Sequence, residues 1–301
     1  MSKPLALLAS LCCVALLAAC GGAGDSGPSK TRVVASFYPL QYVAEQVGGS
    51  FVDVRNLTSP GVEPHDLELT PKQVASVQDA DLVVYEKDFQ PAVDEAIRQA
   101  DRDAQGTVNV TSIVSTLPVQ PGAGEEDHSI DPHLWLDPLN LITITASIKE
   151  KLSALDPKHA DAYASNAKAL IAEITELDAD FETGLKNCRT RTIVTSHAAF
   201  QYLAARYTLI QVPIAGIDPS NEPSPAQLGD ITRLVSDQGI TTIFTEELVS
   251  PAIAKTIARE TGTTVATLDP IEGLSDDTKG ETYVTLMQQN LKTLQKANNC
   301  R

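Results

Sequence analysis

Short apolar, β-branched runs recur along this chain and alternate with stretches of helical periodicity. Residues 32–37 (RVVASF) read as a strand, and a helical stretch at 40–47 follows and stops at Gly48-Gly49. Further strand-like runs lie at 52–57, 80–85 and 108–110. Helices are expected to begin near Pro71 and Pro91, because proline is tolerated in a first helical turn. The second half repeats the plan, with strands at 192–196, 209–214, 241–245 and 264–268 and a helix at 198–205. Strands separated by helices predict an α/β fold built on parallel sheets with both faces covered.

Part of the repeat is visible residue by residue. VVASFYPLQYVA (33–44) aligns without a gap to IVTSHAAFQYLA (193–204). The two share Val34/Val194, Ser36/Ser196, Gln41/Gln201, Tyr42/Tyr202 and Ala44/Ala204, each pair 160 positions apart (194 − 34). This predicts two similarly built lobes. Residues 139–187 between them carry no strand signal. Asp156-Pro157 offers a cap and a first helical residue, and Ala167, Leu170, Ile171, Ile174 and Leu177 then keep helical spacing. A helix over 158–187 would be roughly 45 Å long. Joining the lobes by such a strut, instead of by loop hinges, predicts only slight closure.

The first residues change the cellular setting. Lys3 precedes an apolar run at 5–19 that is too short to span a bilayer comfortably. It ends in Leu17-Ala18-Ala19-Cys20, which resembles a bacterial lipobox and implies cleavage before Cys20 and lipidation of its sulfur. An uncleaved anchor or ordinary secretion are the alternatives. Residues 20–30 read as a flexible tether. Cys12 and Cys13 would leave with the signal, so Cys188 and Cys300 remain in the exported chain. Two thiols outside the cytoplasm suggest a disulfide, worth roughly 4–5 kcal/mol in the chain-entropy model, with two unpaired cysteines as the alternative. The formal charge of -16 leaves no basic footprint for nucleic acid. It fits attraction of cations and plain solubility equally well.

The candidate chemistry lies in three histidines and a carboxylate. His65 follows a strand and a Pro-Gly loop, His133 stands in DPHLWLDP, His197 comes directly after the strand ending at Ser196, and Asp269 follows the strand at 264–268. The spacing is not that of a zinc finger, and no pair shares one helix as in HExxH. Each candidate instead lies at or beyond the carboxyl end of a β-region, the edge where open α/β sheets bind ligands. Two come from each half, so a cleft between lobes could gather all four. Glu246, ending the strand IFTE, is a candidate for orienting a ligand imidazole, with a simple loop carboxylate as the bland reading. His159 reads as solvent-facing, and His128 lies in an acidic stretch, GAGEEDHSID (122–131), where only weak transient metal binding is expected.

Together PHDLELTP, DPHLWLDP, TSHAAFQYLA, IFTEE and TLDP resemble the helix-linked solute receptors of zinc and manganese ABC importers (cluster A-I), over nearly the whole chain from 31 to 300. The resemblance implies two α/β lobes joined by one long helix, with the metal between them, held by His65, His133, His197 and Asp269. It implies a monomer, anchored outside the cytoplasm by lipid, that hands its ion to a permease driven by a cytoplasmic ATPase. It also implies a division at 1–19 (signal), 20–30 (tether), 31–138 (first lobe), 139–187 (helical region) and 188–301 (second lobe). Three imidazoles and one carboxylate suit tetrahedral Zn²⁺, whereas Mn²⁺ prefers more oxygen. Zinc is therefore expected, with manganese or both as the alternative within the family. A zinc hydrolase would need an open position for water, and a metal-chelate or siderophore receptor a roomier cleft. Adhesion, attributed to some members of the family, is untouched by the residues.

Overall fold

The computed structural model describes residues 30–120 and 129–301. The expected signal segment, Cys20, the tether up to residue 29 and His128 lie outside the described residues. The first sheet contains β1 (Thr31–Ala35), β2 (Val52–Asn56), β3 (Leu82–Tyr85) and β4 (Thr107–Asn109), all parallel, in the order β2-β1-β3-β4. Helices α1 (Tyr38–Gly48), α2 (Pro71–Asp79) and α3 (Pro91–Gln99) connect them. Consecutive Val33 and Val34 are both buried, as a central strand covered on two faces requires. Proline opens α2 and α3 as expected, and a Thr70/Gln73 capping box fixes the start of α2.

Two long helices follow, α4 (Pro138–Leu155) and α5 (Ala160–Gly184), packed on each other and on α1. The linking helix is shorter than the sequence predicts: 25 residues, or about 37 Å. At its start a 3₁₀ turn at Pro157–His159 intervenes. Asp156 there accepts hydrogen bonds from His159 Nδ1 and the Tyr163 hydroxyl. At its end Gly184 lies so close to the last helix that an added Cβ would meet Gln295 Nε2 at 2.4 Å and Leu291 Cδ1 at 3.1 Å.

The second sheet contains β5 (Thr192–Thr195), β6 (Ile210–Pro213), β7 (Thr242–Thr245) and β8 (Thr264–Thr267), parallel in the order β6-β5-β7-β8. It is the first sheet with each strand replaced by its counterpart, so the 160-residue repeat is a repeat of topology. Its helices are α6 (Gln201–Arg206), α7 (Pro225–Gln238), α8 (Ala252–Thr261) and α9 (Tyr283–Ala297). Helix α6 begins at Gln201, three residues later than expected, whereas α1 begins at Tyr38. The residues before α6 are held otherwise: the Ala198 amide donates to the Gly216 carbonyl, and the His197 carbonyl accepts from Thr195 and Gln211 side chains.

One apolar core runs through both lobes, including Phe37, Trp135, Phe181, Phe200 and Tyr283. Polar ties cross it: Trp135 Nε1 donates to the Pro270 carbonyl at 2.7 Å, and the Tyr283 hydroxyl donates to the Trp135 carbonyl at 2.6 Å. Cys188 and Cys300 are joined as a disulfide, tying the segment after α5 to the segment after α9. Among the described residues no helix is long and apolar enough to cross a membrane.

Candidate metal centre

Four side chains from the two halves converge at the carboxyl edges of the sheets. His65 comes from the loop between β2 and α2, and His133 from the segment leading to α4. His197 lies two residues beyond β5, and Glu272 lies five residues beyond β8. One donor atom from each lies within 4.8 Å of all the others, and all four residues are buried. Glu272 Oε1 is 3.2 Å from Nε2 of both His133 and His197 and 3.6 Å from Nε2 of His65, and the two Nε2 atoms of His133 and His197 are 3.2 Å apart. Donors that share one ion at about 2.1 Å stand within about 4.2 Å of each other, so these spacings fit a single centre.

Carboxylates outside the four fix the rings. His133 Nδ1 meets Asp131 Oδ1 at 2.8 Å, and His197 Nδ1 meets Glu246 Oε2 at 2.6 Å. An ionised carboxylate only accepts, so Nδ1 carries a proton and Nε2 is the nitrogen that faces inward. The same two acids accept the backbone N–H of the histidine they orient, at 2.8 Å and 3.1 Å. Glu246 therefore stands where the strand end IFTE placed it, against an imidazole.

The group of four contains Glu272 in the place where the sequence points to Asp269. Asp269 is buried and outside that group, and its Oδ2 is enclosed without a hydrogen-bond partner. Its Oδ1 accepts the Ile271 amide at 2.8 Å, and its backbone is held in both directions by Asn290. Ile271 adopts φ 59°, a left-handed turn that a β-branched residue rarely takes. Asp269 thus shapes a tight turn, and Glu272, three residues on, enters the site. The strand-end rule stops at Asp269 and gives no sign that the chain turns once more. Glu272 stands two residues beyond TLDP, with no local pattern to mark it as a donor.

The electrostatics follow from burial and crowding. Burial alone would raise the Glu272 carboxyl, but the imidazoles of His197, His133 and His65 around it hold it well below the usual range. Burial would lower His197, yet Glu246 and Glu272 together raise it well above an ordinary histidine. His133 is raised against burial by Asp131, whereas burial prevails at His65 and lowers it. Burial, reinforced by Glu272, lifts Glu63 to about 8, and burial lifts Asp269 to about 7. Glu63 Oε1, His65 Nε2 and Glu272 Oε1 are enclosed and without a hydrogen-bond partner. His159, which reads as solvent-facing, is instead half-buried, stacked on Phe51 and bonded to Asp156.

Residues 33–297 match the family model "ZnuA: Zinc-uptake complex component A periplasmic". The chain is 37% identical over 308 residues to the zinc-binding lipoprotein AdcA of Streptococcus pneumoniae (strain ATCC BAA-255 / R6), covering 98% of this chain but only 60% of that relative's length. It is 35% identical to the high-affinity zinc uptake system protein ZnuA of Bacillus subtilis (strain 168), covering 94% and 93% of the two chains. The crystal structure of the Zn(II)-bound ZnuA-like domain of Streptococcus pneumoniae AdcA superposes with a TM-score of 0.77 at 35% identity, covering 90% of this chain and all of that one. With a match this long and relatives this similar, the chain belongs to the zinc-uptake complex component A family.

Proposed function

We propose that this protein captures Zn²⁺ outside the cytoplasm and delivers it to an ABC importer. The observation that carries this reading is the convergence of four buried donors, three imidazoles and a carboxylate, from two lobes onto one point. His65, His133, His197 and Glu272 are the ligands in this reading, and Asp131 and Glu246 orient two of the rings. Neutral imidazole with a single carboxylate suits zinc better than manganese, which favours a more oxygen-rich shell. The relatives compared above bear names of zinc binding and zinc uptake.

Four protein donors leave no fixed place for a hydrolytic water, so the site stores the ion and is not catalytic. Donors this close also leave no room for a chelate. The chain is taken to act as a monomer whose lobes, 31–138 and 188–301, are bridged by the helical region 139–187. Lipidation at Cys20 would hold it near the permease. Titration of the purified protein with Zn²⁺ and Mn²⁺, alone and as His197→Ala, tests the proposal. Tight zinc binding that the substitution abolishes is expected; weak zinc binding by the native protein, or an undiminished variant, would sink it.

A further inference from the structure

The four donors are graded in their access to water, and a fifth group, the Glu63 carboxylate, stands at the more exposed end of the gradient. The side chains of His133 and His197 are 0% exposed, Glu272 1% and His65 4%, while Glu63 is 23% exposed. Glu63 lies two residues before His65 on the same loop. Its Oε2 accepts the backbone N–H of His65 at 3.0 Å and of Asp66 at 3.4 Å, which fixes the carboxylate against this loop. Its other oxygen, Oε1, is enclosed, has no hydrogen-bond partner and lies 4.0 Å from His65 Nε2.

That separation is within the limit of about 4.2 Å for two donors on one ion. Yet Glu63 is outside the set of four whose donor atoms all lie within 4.8 Å of one another. An ion touching Glu63 and His65 is therefore at the edge of the site, with the other three donors farther in. The loop is braced against the second lobe there, since the Gly61 amide donates to the Leu274 carbonyl at 2.7 Å, two residues beyond Glu272.

We propose that Glu63 is a transit ligand, which takes the incoming Zn²⁺ from water together with His65 and passes it to His133, His197 and Glu272. The inference rests on the four-donor reading above. A contact made only on the way in lowers the barrier equally for entry and exit and leaves the equilibrium alone. Glu63→Gln is the informative change, because the amide oxygen can still accept the two backbone N–H groups while the second oxygen donor is lost. Asp66→Asn makes the same carboxylate-to-amide change at a neighbouring exposed position.

Rapid mixing of the purified protein with Zn²⁺, and of the zinc-loaded protein with a chelator, reads both directions. Glu63→Gln is expected to slow loading and release by roughly tenfold each and to change Kd less than about threefold. Asp66→Asn should leave both rates near native, and Glu63→Asp should recover part of the loss. Native rates in Glu63→Gln would overturn the proposal. So would slower loading alone that vanishes in high salt, which marks long-range attraction. Loss of affinity through faster release would make Glu63 a resident ligand and overturn it too. Tight zinc binding by His197→Ala would instead reject the four-donor reading, whatever the rates of the Glu63 variants.

Discussion

His197 and Glu246, 49 residues apart, are joined twice: the carboxylate takes the ring Nδ1 at 2.6 Å and the backbone N–H at 3.1 Å. One acid thus sets both the ring's tautomer and the place of its backbone at the end of β5. Glu246→Gln keeps the shape but removes the charge that makes Nε2 a strong donor. Zinc affinity is expected to fall by about 10- to 100-fold, read by competition with a chelator of known strength. Affinity equal to native would show that Glu246 only fills space.

The fourth donor is open to a direct comparison. Glu272→Gln should weaken zinc by at least about 100-fold, because it removes the only carboxylate in the four-donor group. Asp269→Asn, which can still accept the Ile271 amide, should stay within about tenfold of native. The opposite ranking would return the ligand role to Asp269.

Zinc uptake by this site should expel protons. Glu246 and Glu272 raise His197 against the lowering effect of burial, so the metal-free ring holds its proton to higher pH than a free histidine. Metal and proton compete for Nε2, and affinity therefore rises with pH until the ring is neutral without metal. Calorimetric titration near pH 7 in buffers of different ionisation enthalpy should report proton release. An apparent enthalpy independent of buffer would contradict it.

The repeat leaves an acid without a partner. Glu86 stands 160 positions before Glu246 (246 − 86), and Phe37 stands 160 before His197 (197 − 37). Glu86 is fully buried, neither oxygen has a hydrogen-bond partner, and burial with the charges of Asp131 and Asp94 raises its carboxyl well above 4.5. The folded state keeps this proton after the unfolded chain has lost it, so stability falls as pH rises above about 4.5. Glu86→Gln should leave the melting temperature unchanged near pH 4 and raise it near pH 7, by roughly 2 kcal/mol of stability. A difference that does not vary with pH would reject the account.

A clamp outside the four-donor group should affect stability alone. Arg206 on α6 pairs with Asp178 on α5 through two guanidinium nitrogens, Asp137 Oδ1 lies 3.5 Å away, and the Tyr207 hydroxyl donates to Asp178 at 2.7 Å. Arg206→Ala leaves a largely buried carboxylate unpaired and should cost roughly 3 kcal/mol in urea unfolding, with zinc affinity unchanged. An unaltered urea midpoint would mean the pair contributes little.

Much of this was legible in the chain because it depends on local pattern. The strands of both sheets, the proline helix starts and the three histidines follow from short segments. The 160-residue repeat even foretells the shared strand order. What escaped depends on contacts between distant parts. Helix α6 starts late because Ala198 bonds to Gly216, and α5 is shortened by a bonded turn at Asp156 and by the approach of α9 at Gly184. Glu272 escaped because the turn that presents it is set by Asp269 and Asn290, 21 residues apart, a pairing that no local rule reveals.

The chain's single tryptophan lies at the junction where these parts meet. Trp135 gives its indole N–H to Pro270, next to the turn that carries Glu272, and its ring centre is 5.4 Å from that of His133. Any shift of that turn or change of charge on that imidazole reaches the one indole chromophore. Its emission is therefore a built-in gauge of occupancy, from which loading and unloading can be followed in the native molecule without a label.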